Sequence, residues 1–259
     1  MAGRVQSETV TVGWGGGREL LADLYRPPAP NGAGVLLIHG GSYQRGDRTQ
    51  LRGYAIALGR AGYTCLACEY RLAGESQWPA QIDDVHTALA YVHDRAAALG
   101  VDAGRVAIAG NSAGGHLALL AAVLGERPIA AVAAFYSAVD FVGDDARAKG
   151  APEAMAYLLG PDVSESRLAS ISPLHHVRGD FPPTLLATGN QDEMIHWGES
   201  LRMYQALMDA GAAAELHIFN GARHAFDLSP DLGRQCAGLL TVFLDRHVLS
   251  GPGARETTS

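Results

Sequence analysis

The feature that most constrains the fold is a short apolar run that keeps returning. Val35–Ile38 contains no polar residue, and similar runs recur at 63–68, 105–109, 129–135, 184–187 and 214–219. A strand covered on both faces has nowhere to place a polar side chain, so these runs read as the inner strands of a parallel sheet. Amphipathic stretches lie between them. In 80–99, Ile82, Val85, Leu89, Val92, Ala96 and Leu99 share one helical face, and Asp83 and Asp84 occupy the first turn, where the helix dipole favours negative charge. Further helices are expected at 49–60, 113–124, 197–210 and 231–248, with Gly211 closing the one at 197–210. Ahead of the alternation, 7–13 and 19–25 read as a hairpin on Gly15-Gly16-Gly17.

This order predicts an α/β protein: an open, mostly parallel, doubly wound sheet with an antiparallel N-terminal hairpin. In such sheets ligands bind beyond the C-terminal ends of the strands. The chain has 259 residues and is 47% apolar, enough for one large core, so a single domain over 1–259 is expected. The segment 141–170 breaks the alternation with Gly143, Asp144, Asp145, Gly150 and Pro152, and carries a short helical pattern around Ala154–Leu159. It reads as a small lid-like insertion over the active site. The tail 250–259 is expected to be mobile.

Charge narrows the partners. The formal net charge is −7 and no Lys/Arg-rich block occurs, so neither nucleic acid nor anionic lipid is an expected partner. No apolar run approaches the roughly 20 residues that span a bilayer, and the first residues lack a signal-peptide pattern. The expectation is a soluble cytoplasmic protein without membrane contact, with a homodimer left open. Cys65 and Cys68 form a C-x-x-C, but within a strand, residues three apart point to opposite faces, so they read as core thiols. His175 and His176 lack a third ligand at metal spacing, and no metal is expected.

The chemistry sits at the strand ends. Gly110-Asn111-Ser112-Ala113-Gly114 matches G-x-S-x-G, directly after one strand and directly before one helix, which is the context a nucleophilic serine on a strained turn requires. Without that context Ser112 would read as an ordinary helix N-cap. A serine hydroxyl is a weak nucleophile near neutrality and needs a histidine oriented by a carboxylate. His224 follows the last predicted strand. Asp192 follows the strand before it, with Glu193 as its competitor and Asp140 as a third candidate, while Asp227 stands too near His224 in sequence to orient its ring easily. The order Ser112, Asp192, His224 is that of the strand-turn-helix hydrolases. The oxyanion formed on attack needs backbone donors, and His39-Gly40-Gly41-Ser42 after the first inner strand supplies amides of Gly41 and Ser42 to join that of Ala113. Tyr43, Trp78, His196 and Trp197 are candidates to line the substrate pocket. His116 reads as packed rather than catalytic.

These residues carry a family resemblance. His39-Gly40-Gly41-Ser42 resembles the HGGG motif of hormone-sensitive-lipase-type esterases of the α/β-hydrolase fold, and Tyr70-Arg71-Leu72-Ala73 with Trp78-Pro79-Ala80 resembles their Y-R-L-A-P segment. The stretch from Pro79 through GNSAGGH, Ser172-Pro173 and GARHAF is closer to small carboxylesterases of the feruloyl/acetyl-xylan esterase and kynurenine-formamidase-like branch. Residues 30–245 share the likeness. It implies Ser112 as nucleophile, Asp192 as acid and His224 as base, a small-molecule ester as substrate, and no cofactor. Ser42 stands where the third glycine is usual, Gly74 replaces a proline, and no long cap precedes the first strand, so short acyl groups are expected. An amide or formamide hydrolase, or a non-hydrolytic binding protein or lyase reusing the fold, is the alternative.

Overall fold

The N-terminal hairpin pairs β1 (Gln6–Gly15) with β2 (Arg18–Arg26), and at its tip Gly16 and Gly17 take φ of 59° and 82°. Two successive left-handed residues make the turn whose twist matches the flanking strands, a conformation glycine adopts without a side-chain penalty. The structure, a computed structural model, describes residues 3–142 and 151–250. Asp144, Asp145, Arg147 and Lys149 of the expected insertion, and the tail from 251, lie outside the described residues.

Strand and helix then alternate. β3 (Gly34–Ile38), α1 (Arg52–Arg60), β4 (Thr64–Cys68), α2 (Ala80–Asp94), α3 (Ala96–Leu99), β5 (Val106–Asn111), α4 (Ala113–Leu124) and β6 (Ala131–Phe135) form the first part. α5 (Ala151–Leu159), α6 (Glu165–Ser170), β7 (Thr184–Gly189), α7 (Gly198–Asp209), β8 (Ala214–Phe219) and α8 (Pro230–Leu244) complete it. The sheet order is β1-β2-β4-β3-β5-β6-β7-β8, antiparallel as far as the β2–β4 pair and parallel from β4 onward.

Each inner strand feeds two apolar layers by turns. Leu36 and Ile38 of β3 and Val106 and Ile108 of β5 enter the layer shared with α2, α4 and α7. Val35, Leu37, Ala107 and Ala109 enter the opposite layer, shared with α1 and α8. Cys65 and Cys68 divide between the two layers as their spacing requires, and burial raises both thiols, Cys68 to about 12. The order of strands reverses beside β3: the chain runs outward to β4, then crosses back to β5. A reversal of this kind opens a crevice at the strand ends, here between the loops after β3 and β5.

Four expectations need correction. The helix read over 80–99 is interrupted at Arg95, although Ala96 and Leu99 still join the layer that holds Ile82 and Val85. The run at 214–219 is the sheet's edge rather than an inner strand. Its residues are mostly half-exposed, which accommodates Glu215 and His217 within it. The stretches at 49–60 and 231–248 are not α-helical throughout: the first opens with a 3₁₀ turn over Arg48–Leu51, and the second ends in a π turn over Asp245–Leu249.

Candidate active site

Ser112 joins β5 to α4 with φ 51° and ψ −121°, a backbone that L residues seldom adopt and that costs on the order of 1–3 kcal/mol. The turn is held by Ser112 N–H donating to Phe135 O at 2.8 Å and by His116 N–H donating to Ser112 O at 3.0 Å. Glycine on either side is a steric demand. A Cβ on Gly110 would lie 2.4 Å from the carbonyl carbon of Gly114, and one on Gly114 would lie 2.1 Å from Ile38 O.

The hydroxyl so presented meets His224. Its Oγ lies 3.0 Å from His224 Nε2, and His224 Nδ1 lies 2.7 Å from Asp192 Oδ2. The Asp192 side chain is fully buried, and its other oxygen accepts from the amides of Met194 at 2.8 Å and Ile195 at 2.9 Å. With a carboxylate at Nδ1, that nitrogen carries the proton and Nε2 is free to accept from the serine. The two loops are stitched together: Gly221 N–H donates to Asn190 Oδ1 at 2.7 Å, and Gln191 N–H to Ala222 O at 3.0 Å.

The competing carboxylates go elsewhere. Glu193 points to solvent, 3.5 Å from Arg223. Asp140 pairs with Arg202 and His175. Asp227 is buried against two tyrosine hydroxyls.

The loop after β3 turns sharply. Gly41 has φ 125°, and a Cβ there would sit 2.0 Å from Arg45 O. Its carbonyl accepts from Gln44 and Arg45 amides, while Ser42 and Tyr43 both take left-handed conformations. The Gly40 amide is bound by Gln50 Oε1, but among the described residues no acceptor takes the amides of Gly41 or Ser42. Ala113 begins α4, so its N–H has no partner within the helix. Three unpaired donors thus flank the crevice that holds Ser112.

The cavity beside Ser112 measures about 190 Å³, and Gly41, Ser42, Tyr136, Met194, His224 and Leu228 are among its walls. A larger depression of about 550 Å³ lies beside Gln6, Glu8 and Arg26 on the hairpin, remote from these groups. Tyr43, Trp78, His196 and Trp197 do not line the cavity. Tyr43 is buried and hydrogen-bonds His116 Nδ1 at 2.8 Å, so its ring belongs to the core. Trp78 packs half-buried against the same core, and His196 and Trp197 lean on each other just before α7. Tyr136 and Met194 escaped notice in the sequence. The signal for Tyr136 was its place directly after a strand end, and for Met194 its place two residues past Asp192. Burial drives His116 down to about 4, which keeps it neutral beneath the loop. Among the described residues no group of three His, Cys, Asp or Glu could hold a metal ion.

A family model described as BD-FAE matches residues 22–207. The chain is 32% identical over 98% of its length to "Esterase LipQ" of Mycobacterium tuberculosis, and 35% identical over 71% of its length to "Carboxylesterase NlhH" of the same species. It spans 66% and 60% of those relatives, less than two thirds of either. The solved structure of EstE1, described as a thermophilic carboxylesterase from a metagenomic library, superposes with a TM-score of 0.84 at 25% identity, covering 96% of this chain and 91% of that one. The architecture is that of the α/β-hydrolase esterases.

Proposed function

The chain belongs to the BD-FAE family, and from that premise we propose that it is a serine carboxylesterase using Ser112, His224 and Asp192 as its triad. The observation that carries this reading is the unbroken hydrogen-bond path from Asp192 Oδ2 through His224 to Ser112 Oγ, with the serine held on a strained turn. His224 takes the Ser112 proton as the oxygen attacks the ester carbonyl. The amides of Gly41, Ser42 and Ala113 receive the developing oxyanion, and the alcohol leaves with the proton from His224. Water then repeats the sequence on the acyl-enzyme. The scheme needs no metal or organic cofactor.

Short-acyl or small aryl esters suit the cavity. Its roughly 190 Å³ is below the about 300–1,000 Å³ of sites that take drug-sized ligands, which favours small acyl groups. Longer chains would keep methylenes in water and forgo the roughly 0.8 kcal/mol that each gains on burial. We take the described residues as one domain. No helix of the described residues is long and apolar enough to cross a membrane. Three buried free thiols, Cys65, Cys68 and Cys236, suit a reducing cytoplasm.

The test is Ser112→Ala assayed on a series of p-nitrophenyl esters. The substitution is expected to lower kcat on the order of 10⁴-fold, and retention of more than about a tenth of the activity would contradict the assignment. In the parent enzyme kcat/KM is expected to peak between acetate and butyrate. A maximum at octanoate or longer would contradict the short-acyl reading.

A further inference from the structure

Among the described residues the mechanism above leaves three buried carboxylates unused; Asp84 and Glu199 pair with arginines, and Asp227 is held by tyrosines instead. Asp227 is 4% exposed and stands three residues after His224, in the 3₁₀ turn Phe226–Leu228. Its two oxygens are each taken by a phenol: Tyr54 from α1 donates to Oδ2 at 2.9 Å, and Tyr136, directly after β6, donates to Oδ1. The Tyr136 oxygen in turn accepts from Asn111 Nδ2 at 2.9 Å, so Tyr136 is also tied to the residue before Ser112. Burial pushes the Asp227 carboxyl upward, against the pull of these donors. A carboxylate removed from water at this cost normally serves either packing or a site.

Two further observations point to the site. Tyr136 lines the substrate cavity, and its ring crosses that of His224 at 67° with centroids 4.7 Å apart. It holds this place with a left-handed backbone, φ 41°, which a tyrosine does not adopt without cost. The His224 loop is strained as well, since Ala225 has φ 60°. Strain of this kind persists only where surrounding contacts over-determine it.

We infer that Asp227 is a positioning residue for His224. It fastens the Tyr136 phenol, whose ring packs against the imidazole, and it anchors the loop just beyond the histidine. Asp192 fixes the ring's Nδ1 but leaves it able to swing about that contact. Tyr136 supplies the second constraint, and without it Nε2 spends less time in line with Ser112 Oγ. A misplacement of about 1 Å at such a contact can cost on the order of 100-fold in rate. Substrate binding would change little, because the oxyanion amides and the rest of the cavity wall stay in place.

This inference rests on the proposed triad, and the test separates the two. Asp227→Asn, Tyr136→Phe and Tyr54→Phe are compared with the parent for kcat and KM on p-nitrophenyl butyrate, for the rate of phosphonylation by an organophosphonate, and for melting temperature. Active-site titration with the same reagent corrects each kcat for folded enzyme. Tyr54→Phe is the control: it removes one hydrogen bond from the same carboxylate, but that ring packs on Phe135 and not on the imidazole. Tyr136→Phe and Asp227→Asn are expected to lose about 10-fold or more in kcat and in phosphonylation rate, with KM within about 3-fold. The amide of Asn can accept from only one of the two phenols. Tyr54→Phe is expected to cost similar melting temperature and several-fold less kcat. Equal kcat per active site in all three variants and the parent would overturn the inference and leave Asp227 as packing. A parent enzyme that resists phosphonylation would overturn the triad, and this inference with it.

Discussion

Asp192 and Glu193 differ by one methylene and adjoin in sequence, yet only one can serve His224. Neighbours on an extended loop point apart, and here Asp192 is buried against the imidazole while Glu193 lies in solvent near Arg223. Asp192→Asn is therefore expected to lower kcat by about 10⁴-fold, as an amide can impose the wrong tautomer and cannot stabilise the imidazolium. Glu193→Gln is expected to stay within about 2-fold, since exposed ion pairs contribute little. Steady-state assays of the two proteins decide it, and the reverse ranking would move the role to Glu193. Sequence reasoning could favour Asp192 because strand ends and chain order constrain that position. Tyr136 also sits directly after a strand end, but its pairing with Asp227 had no such handle. The two meet across 91 residues of chain, and nothing local in β6 or after His224 announces the contact.

At the scale of elements, the turns around the site are set by steric exclusion. Gly114→Ala would place a methyl 2.1 Å from Ile38 O, a backbone atom that cannot step aside. The variant is expected to fold poorly or to melt well below the parent, and an unchanged melting temperature would show that the turn is looser than these contacts imply. Gly17→Ala is the contrast, as a Cβ there meets nothing within 4 Å and only its φ of 82° resists substitution. The inner strands were legible because full burial on two faces leaves an apolar run. The break at Arg95 was not legible, since apolar spacing continues through it into α3. The edge position of β8 was written in Glu215 and His217, which alternate with Leu216 and Ile218, but the apolar count of the run obscured it.

For the whole molecule, the sheet brings the loops after β3, β5, β7 and β8 to one rim, and the layers beneath must hold through the working pH. His116 is the sensitive point. Its Nδ1 accepts from Tyr43 and its Nε2 donates to Ile171 O at 2.7 Å, so the neutral ring satisfies both, and full burial disfavours the charge a second proton would bring. With its pKa lowered to about 4 in the fold, from an ordinary 6.5, the unfolded chain binds more protons between those values. Stability is then complete above about pH 6.5 and falls as pH drops toward 4, by on the order of 3 kcal/mol for this residue. His39, His86 and His93 are lowered in the same direction by burial. Calorimetry of His116→Gln is expected to show a smaller loss of melting temperature between pH 7.5 and pH 5 than the parent. An unchanged loss would contradict the role given to His116.

The most direct test of the proposed chemistry is covalent. Treatment of the parent protein with an organophosphonate, followed by intact mass and peptide mapping, is expected to give one adduct per chain, on Ser112, with esterase activity lost in proportion. An adduct on another residue, or full ester hydrolysis with Ser112 unlabelled, would contradict a mechanism built on Ser112, His224 and Asp192.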